Sequence, residues 1–252
     1  MTLPHITNKQ KEIILFIYRL RFLNRIQIQK LLKNKDHRNI NSWLKDLNKK
    51  NYITRIYEKS NQKNTLPAIY FLSINGIRYL KSTDIDSSLL KKFRQEKRRS
   101  DNFIEKSIFI AQIYLKLLSL ESMQNDSFKF YSQSDFPKDG LIRELLPDFA
   151  YVYKINNKLQ HFVGEIFTDK MPHYAICGRI KKYIEYFEDD EDDTTNIILI
   201  CNSDLTKNFI EKYIYRYIRD NEYLNANIYT TTKDQIEENG MEIALFKKAE
   251  AD

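Results

Sequence analysis

The chain has 252 residues, 42% hydrophobic and 13% aromatic, with only 5 Gly and 5 Pro. That composition supports one large or two small packed domains and excludes a disordered or glycine-rich chain. Its net charge of +7 is uneven: residues 1–99 hold 23 Lys/Arg against 7 Asp/Glu (+16), and residues 100–252 hold 18 against 27 (−9). Such asymmetry points to a nucleic-acid-binding part joined to something different.

In chain order, Thr7-Asn8-Lys9-Gln10 has the form of a capping box and opens a helix carrying Ile13, Ile14, Phe16, Ile17 and Leu20. Asn24-Arg25-Ile26-Gln27 repeats the device before a short helix with Ile28, Leu31 and Leu32. Asp36 caps a third helix, in which Ile40, Trp43, Leu44 and Leu47 recur at helical spacing. That stripe leaves Arg38, Asn39, Asn41, Ser42, Lys45 and Lys49 on the opposite face. Strands are expected at 52–57 and 68–73 around a polar, basic tip, and a helix at 74–81. Three helices followed by a hairpin is the order of a winged helix-turn-helix. The third helix carries donors suited to base edges and phosphates, and Arg55, Lys59 and Lys63 on the hairpin suit neighbouring phosphates. The implied partner is double-stranded DNA, against a rival reading of the wing as a protein-interaction module.

Residues 84–122 read as a helical connector. It begins with the basic residues Lys91, Lys92, Arg94 and Lys97-Arg98-Arg99 and continues with an apolar stripe of Phe103, Ile104, Ile108, Ile110, Ala111, Leu115 and Leu118. That stripe suits a core or a homodimer contact. Beyond it the pattern alternates: strands at 128–132, 149–155 and 159–167, with Asn156-Asn157 as a hairpin turn. A helix over 173–187 follows, with Cys177, Ile180, Ile184 and Phe187 on one side. A strand at 196–202, a helix at 206–220 and a strand at 227–229 complete the pattern. The acidic run 188–193 reads as a solvated turn. The expected domains are therefore 1–83, 84–122 and 123–252, in an α+β chain whose last domain holds a mixed sheet.

His5, His37, His161 and His173 have no metal-ligand spacing, and Cys177 and Cys201 read as core residues. No apolar run approaches the roughly 18 residues of a membrane span, and no signal peptide is evident, so a cytoplasmic protein is expected. Asp148, opening one strand after Pro147, and Glu165, near the end of the next, suit a pair of carboxylates that hold a divalent cation.

The element ending in Tyr70-Phe71-Leu72-Ser73-Ile74-Asn75-Gly76, together with Leu146-Pro147-Asp148-Phe149, Gly164-Glu165-Ile166 and Lys181-Lys182-Tyr183, resembles the replication-relaxation family of plasmids and mobile elements. The resemblance implies a winged helix joined to a domain similar to PD-(D/E)xK nucleases. It also implies a role in transcriptional regulation or in plasmid replication or transfer, with a replication, transfer or transcription protein as a further partner. The nuclease pattern requires a lysine two positions after the acid, where this chain has Phe167. Lys170, Lys181 and Lys182 are the nearby substitutes, beside Asp148 and Glu165. The expectation is a scaffold that does not cut and needs no cofactor. The alternative is a Mg²⁺-dependent endonuclease targeted by its winged helix, with Asp148 and Glu165 as metal ligands.

Overall fold

The computed structural model describes residues 2–56, 67–120, 128–136, 140–155, 158–188, 195–221, 227–242 and 246–248. The chain divides into two compact units, Met1–Leu115 and Lys116–Asp252.

In the first unit α1 (Asn8–Leu20), β1 (Leu23–Asn24), α2 (Arg25–Leu31) and α3 (His37–Lys49) precede β2 (Ile53–Ile56), β3 (Ile69–Leu72) and α4 (Ile74–Lys81). A 3-10 helix, Leu89–Arg98, and α5 (Asp101–Ser119), whose residues from Lys116 on belong to the second unit, follow. The capping boxes read from the sequence form. Gln10 N donates to Thr7 Oγ1 at 3.4 Å and Thr7 N to Gln10 Oε1 at 2.9 Å; the Asn24–Gln27 pair does the same at 2.9 and 3.1 Å. Each box satisfies two backbone donors that a helix start otherwise leaves orphaned. Asp36 caps α3 by accepting from Arg38 N at 2.8 Å. The three strands form an antiparallel sheet in the order β1-β3-β2.

Ile13, Ile14 and Ile17 of α1, Ile28 of α2, and Ile40, Leu44 and Leu47 of α3 are fully buried. Phe16, Leu31, Leu32 and Trp43, expected on the same stripes, are half-buried. Gly76 of α4 is required by packing: a Cβ there would lie 2.3 Å from the Tyr52 carbonyl oxygen, so only glycine lets the helix approach that backbone.

Residues 84–115, expected to belong to a connector, pack within the first unit. Gln27 Nε2 donates to the Ile108 carbonyl at 2.8 Å, and Arg21 forms an ion pair with Glu96. The buried side of α5 also differs from expectation. Phe109, Ala111, Ile113, Tyr114 and Leu117 are buried, whereas Phe103, Ile104, Ile108, Ile110, Leu115 and Leu118 are only partly so. The helix is apolar over most of its circumference, so periodicity alone could not choose the face.

The second unit contains β4 (Lys129–Ser132), α6 (Leu141–Leu145), β5 (Phe149–Ile155), β6 (Lys158–Phe167), α7 (His173–Glu188), β7 (Thr195–Cys201), α8 (Asp204–Asn221), β8 (Asn227–Thr232), α9 (Lys233–Asn239) and β9 (Lys247–Lys248). The six strands form one mixed sheet in the order β4-β5-β6-β7-β8-β9. Pairing is parallel along β6-β7-β8 and antiparallel at both flanks. The expected turn Asn156-Asn157 and most of the acidic run 188–193 lie outside the described residues. Among the described residues, no helix is long and apolar enough to cross a membrane.

Two faces of the sheet are packed differently. On one, Val163 and Phe167 of β6 and Ile197, Leu199 and Cys201 of β7 meet Ile176, Ile180 and Ile184 of α7 and Ile210 and Ile214 of α8. Burial pushes the Cys201 thiol up to about 12, consistent with a core residue. Cys177 is only half-buried, so α7 turns Ile176 and Tyr183 inward where the sequence reading had Cys177.

The other face carries stacked rings. Phe149 lies 5.9 Å from Phe130 and 6.4 Å from Tyr151, and Tyr151 lies 4.5 Å from Phe162. Gly164 faces Phe149 across the β5–β6 ladder, and a Cβ there would lie 2.1 Å from the ring. That ring is fully buried. Gly164→Ala should therefore destabilise the unit by about 1–3 kcal/mol through overpacking. Urea unfolding of the variant beside the parent measures it; unchanged stability would contradict the close approach.

Candidate nucleic-acid interface and carboxylate cluster

α3 separates its residues by face. Ile40, Leu44 and Leu47 point into the core, while Arg38, Asn39, Asn41, Ser42, Lys45 and Lys49 are exposed. The exposed set therefore forms one polar, basic surface along the helix. Arg38 is held near the helix start by Asp36, at 3.4 Å, in a pair exposed enough to contribute little stability. At the other end Asp46 accepts from Lys50 at 2.7 Å and from Gln10 at 2.7 Å, and these two bonds hold its carboxyl below the ordinary aspartate value. Asp46 thereby links α3 to α1 through Gln10. Arg55 is exposed on β2, opposite Tyr70 of β3. Lys59 and Lys63 lie outside the described residues.

In the second unit Asp148 and Glu165 belong to one buried cluster, 4% and 6% exposed. Asp148 grips the β6 backbone on either side of Glu165. Its N–H donates to the Gly164 carbonyl at 2.9 Å, and its Oδ2 accepts from Ile166 N at 2.8 Å. Glu165 shares its strand face with Val163 and Phe167, as alternation requires, and so points toward α7. There Tyr183 Oη donates to Glu165 Oε2 at 2.8 Å, and the Arg179 guanidinium pairs with the same oxygen.

Arg179 and Tyr183 stand one turn apart on α7. Arg179 also donates to the Leu145 carbonyl at 3.0 Å and the Leu146 carbonyl at 3.3 Å, at the C-terminal end of α6. Leu146 has φ 49°, a left-handed helix ending. Burial opposes the charge on Arg179, yet Glu165 more than compensates and raises its pKa above the ordinary arginine value. Burial, then Glu165, drives the Tyr183 phenol well above its usual range, so the hydroxyl remains a donor.

The lysines considered as catalytic substitutes have other places. Lys181 pairs with Glu185 at 3.3 Å along α7, and Lys182 Nζ donates to the Glu144 carbonyl at 2.6 Å. Lys170 is exposed in the turn after β6. Its neighbour Asp169 accepts from Ser203 and Thr206, which lowers its pKa and ties that turn to the start of α8. Phe167 is fully buried. The cation at Glu165 that sequence reasoning missed is Arg179. Its signal was positional: with Ile176, Ile180 and Tyr183 it lies at helical spacing on the inward stripe of α7. Among the described residues, no group of three or more His, Cys, Asp or Glu side chains could hold a metal ion.

The sequence profile of the replication-relaxation family matches residues 15–199, from within α1 to within β7. The chain belongs to the replication-relaxation family. No curated protein matches it. Among solved structures, this replication-relaxation protein is similar to restriction endonuclease FokI at 13% identity and a TM-score of 0.31, over 95% of this chain and 48% of that one. FokI bound to DNA gives 12% identity and a TM-score of 0.29, over 94% and 45%. The chain spans about half the length of these structures, and likenesses this faint carry no weight for the family member's fold or function.

Proposed function

We propose that this replication-relaxation protein binds double-stranded DNA through its first unit, a winged helix-turn-helix, and that its second unit is a PD-(D/E)xK-like scaffold that does not cleave. The observation that carries the reading is the exposed face of α3, where Arg38, Asn39, Asn41, Ser42, Lys45 and Lys49 lie together. The helix order, the antiparallel β1-β3-β2 sheet and the +16 charge of residues 1–99 support it. In this reading two copies pair to read two half-sites in the cytoplasm. The bound site lies in a promoter, a replication origin or a transfer origin, where a replication, transfer or transcription protein is a second partner. No cofactor is required.

The polar residues at the start of α3 set site preference, and cations on the hairpin supply sequence-independent affinity. Asn39→Ala with Asn41→Ala should narrow the gap between specific and random duplex binding, whereas Lys59→Ala with Lys63→Ala should weaken both alike. Mobility-shift titrations on the two duplexes measure this; the reverse pattern would reject the assigned orientation.

The non-cleaving reading rests on Phe167 at the lysine position and on the engagement of Lys181 and Lys182 elsewhere. Supercoiled, linear and single-stranded DNA should remain intact with Mg²⁺ or Mn²⁺. Cutting by the parent that Asp148→Ala and Glu165→Ala both abolish would establish the endonuclease instead.

A further inference from the structure

The PD-(D/E)xK resemblance implies a divalent cation between Asp148 and Glu165, and the residues present do not fit one. Such a cation needs carboxylate oxygens free to ligate it, in a shell that waters complete. Glu165 Oε2 already accepts from Tyr183 and pairs with Arg179. Asp148 Oδ2 accepts from the β6 backbone at Ile166. Asp148 is tied to the same strand through the backbone at Gly164 and Ile166, on either side of Glu165.

We infer that Arg179 is a built-in counter-ion, whose guanidinium neutralises Glu165 in place of a metal ion, while Asp148 is held by the β6 backbone. The physical case has three parts. A buried carboxylate without a countercharge is costly, so a cation beside it stabilises its ionised form. A guanidinium is always charged and has five donors, enough to serve Glu165, Tyr183 and the end of α6 together. Two of those donors reach the Leu145 and Leu146 carbonyls, which fixes the cation by covalent attachment and by the left-handed end of α6. A divalent ion arriving beside Arg179 would meet like charge at close range in a poorly hydrated place. The cluster therefore acts as a structural joint between α6, β6 and α7, and Arg179 positions the chain ahead of Asp148.

This inference rests on the non-cleaving reading of the second unit and is independent of DNA binding by α3. The test uses the full-length protein without DNA, with Tb³⁺ as the probe. Tyr183, hydrogen-bonded to Glu165, is placed to sensitise the luminescence of a bound ion. The parent should show no saturable signal that depends on Glu165. Arg179→Met should bind Tb³⁺ about tenfold or more tightly than the parent, because the net charge of the ligands sets the affinity of carboxylate sites. Adding Glu165→Gln to that variant should abolish the gain, and Mn²⁺ should raise the melting temperature of Arg179→Met but not of the parent. If Arg179→Met does not fold by circular dichroism, Arg179→Gln carries the same test, since it retains a donor for the α6 carbonyls without the charge. Glu165-dependent ion binding by the parent, or a folded neutral variant that gains none, overturns the inference. Neither result bears on duplex binding, so the two readings fail separately.

Discussion

Raising salt from about 50 to about 200 mM should weaken duplex binding by about a thousandfold, because phosphate contacts release condensed counterions. Six cations are assigned to the interface: Arg38, Lys45, Lys49, Arg55, Lys59 and Lys63. At a slope of about −0.9 per neutralised phosphate, six contacts give a log–log slope of about −5. Each alanine replacement at Lys45, Lys49, Lys59 or Lys63 should reduce that slope by about one, on specific and random duplexes alike. Fluorescence anisotropy at four or five salt concentrations measures both quantities. Binding indifferent to salt would reject a phosphate-tracking surface and favour the protein-interaction reading of the first unit.

Replacing Glu96 with alanine should destabilise the first unit by about 3–5 kcal/mol, the cost of leaving a buried charge without its partner. Glu96 is 1% exposed and Arg21 6%. Arg21 donates to both Glu96 oxygens, and Arg99 approaches the same carboxylate at 3.7 Å. The Arg21 guanidinium is also enclosed between aromatic rings, 4.5 Å from Phe93 and 5.3 Å from Phe103. Removing Glu96 leaves that cation with neither water nor counter-ion. Exchanging both partners for apolar residues, Arg21→Met with Glu96→Leu, should recover most of the loss, since a buried pair and a packed apolar pair are often close in stability. Urea unfolding of the parent, the single variants and the double variant completes the cycle. A Glu96→Ala protein within about 1 kcal/mol of the parent would contradict the buried pair.

What the sequence revealed depended on how local the determining interaction was. The starts of α1 and α2 were legible because a capping box is written within four residues, and Thr7–Gln10 and Asn24–Gln27 form as read; α3 was legible from its single cap residue, Asp36. The long strands β5, β6 and β7 were legible as runs of apolar and aromatic residues. β1, α6 and β9 were not, since elements of two, five and two residues have no periodicity to detect. At the carboxylate cluster, Asp148 and Glu165 were found by motif. No motif marks Arg179, and the more conspicuous Lys181 and Lys182 lie on the solvent side of the same helix. The Arg21–Glu96 pair left no local trace, because its partners are 75 residues apart.

Trp43, the one tryptophan in the chain, sits half-buried on α3, the helix that carries the surface assigned to DNA. Its emission is consequently a private optical channel for the first unit. Excitation at the red edge of the absorption band selects indole and leaves the 17 tyrosines dark. Unfolding of the first unit can then be compared in one sample with that of the whole chain, with Trp43 fluorescence reporting the first unit and far-ultraviolet dichroism reporting both.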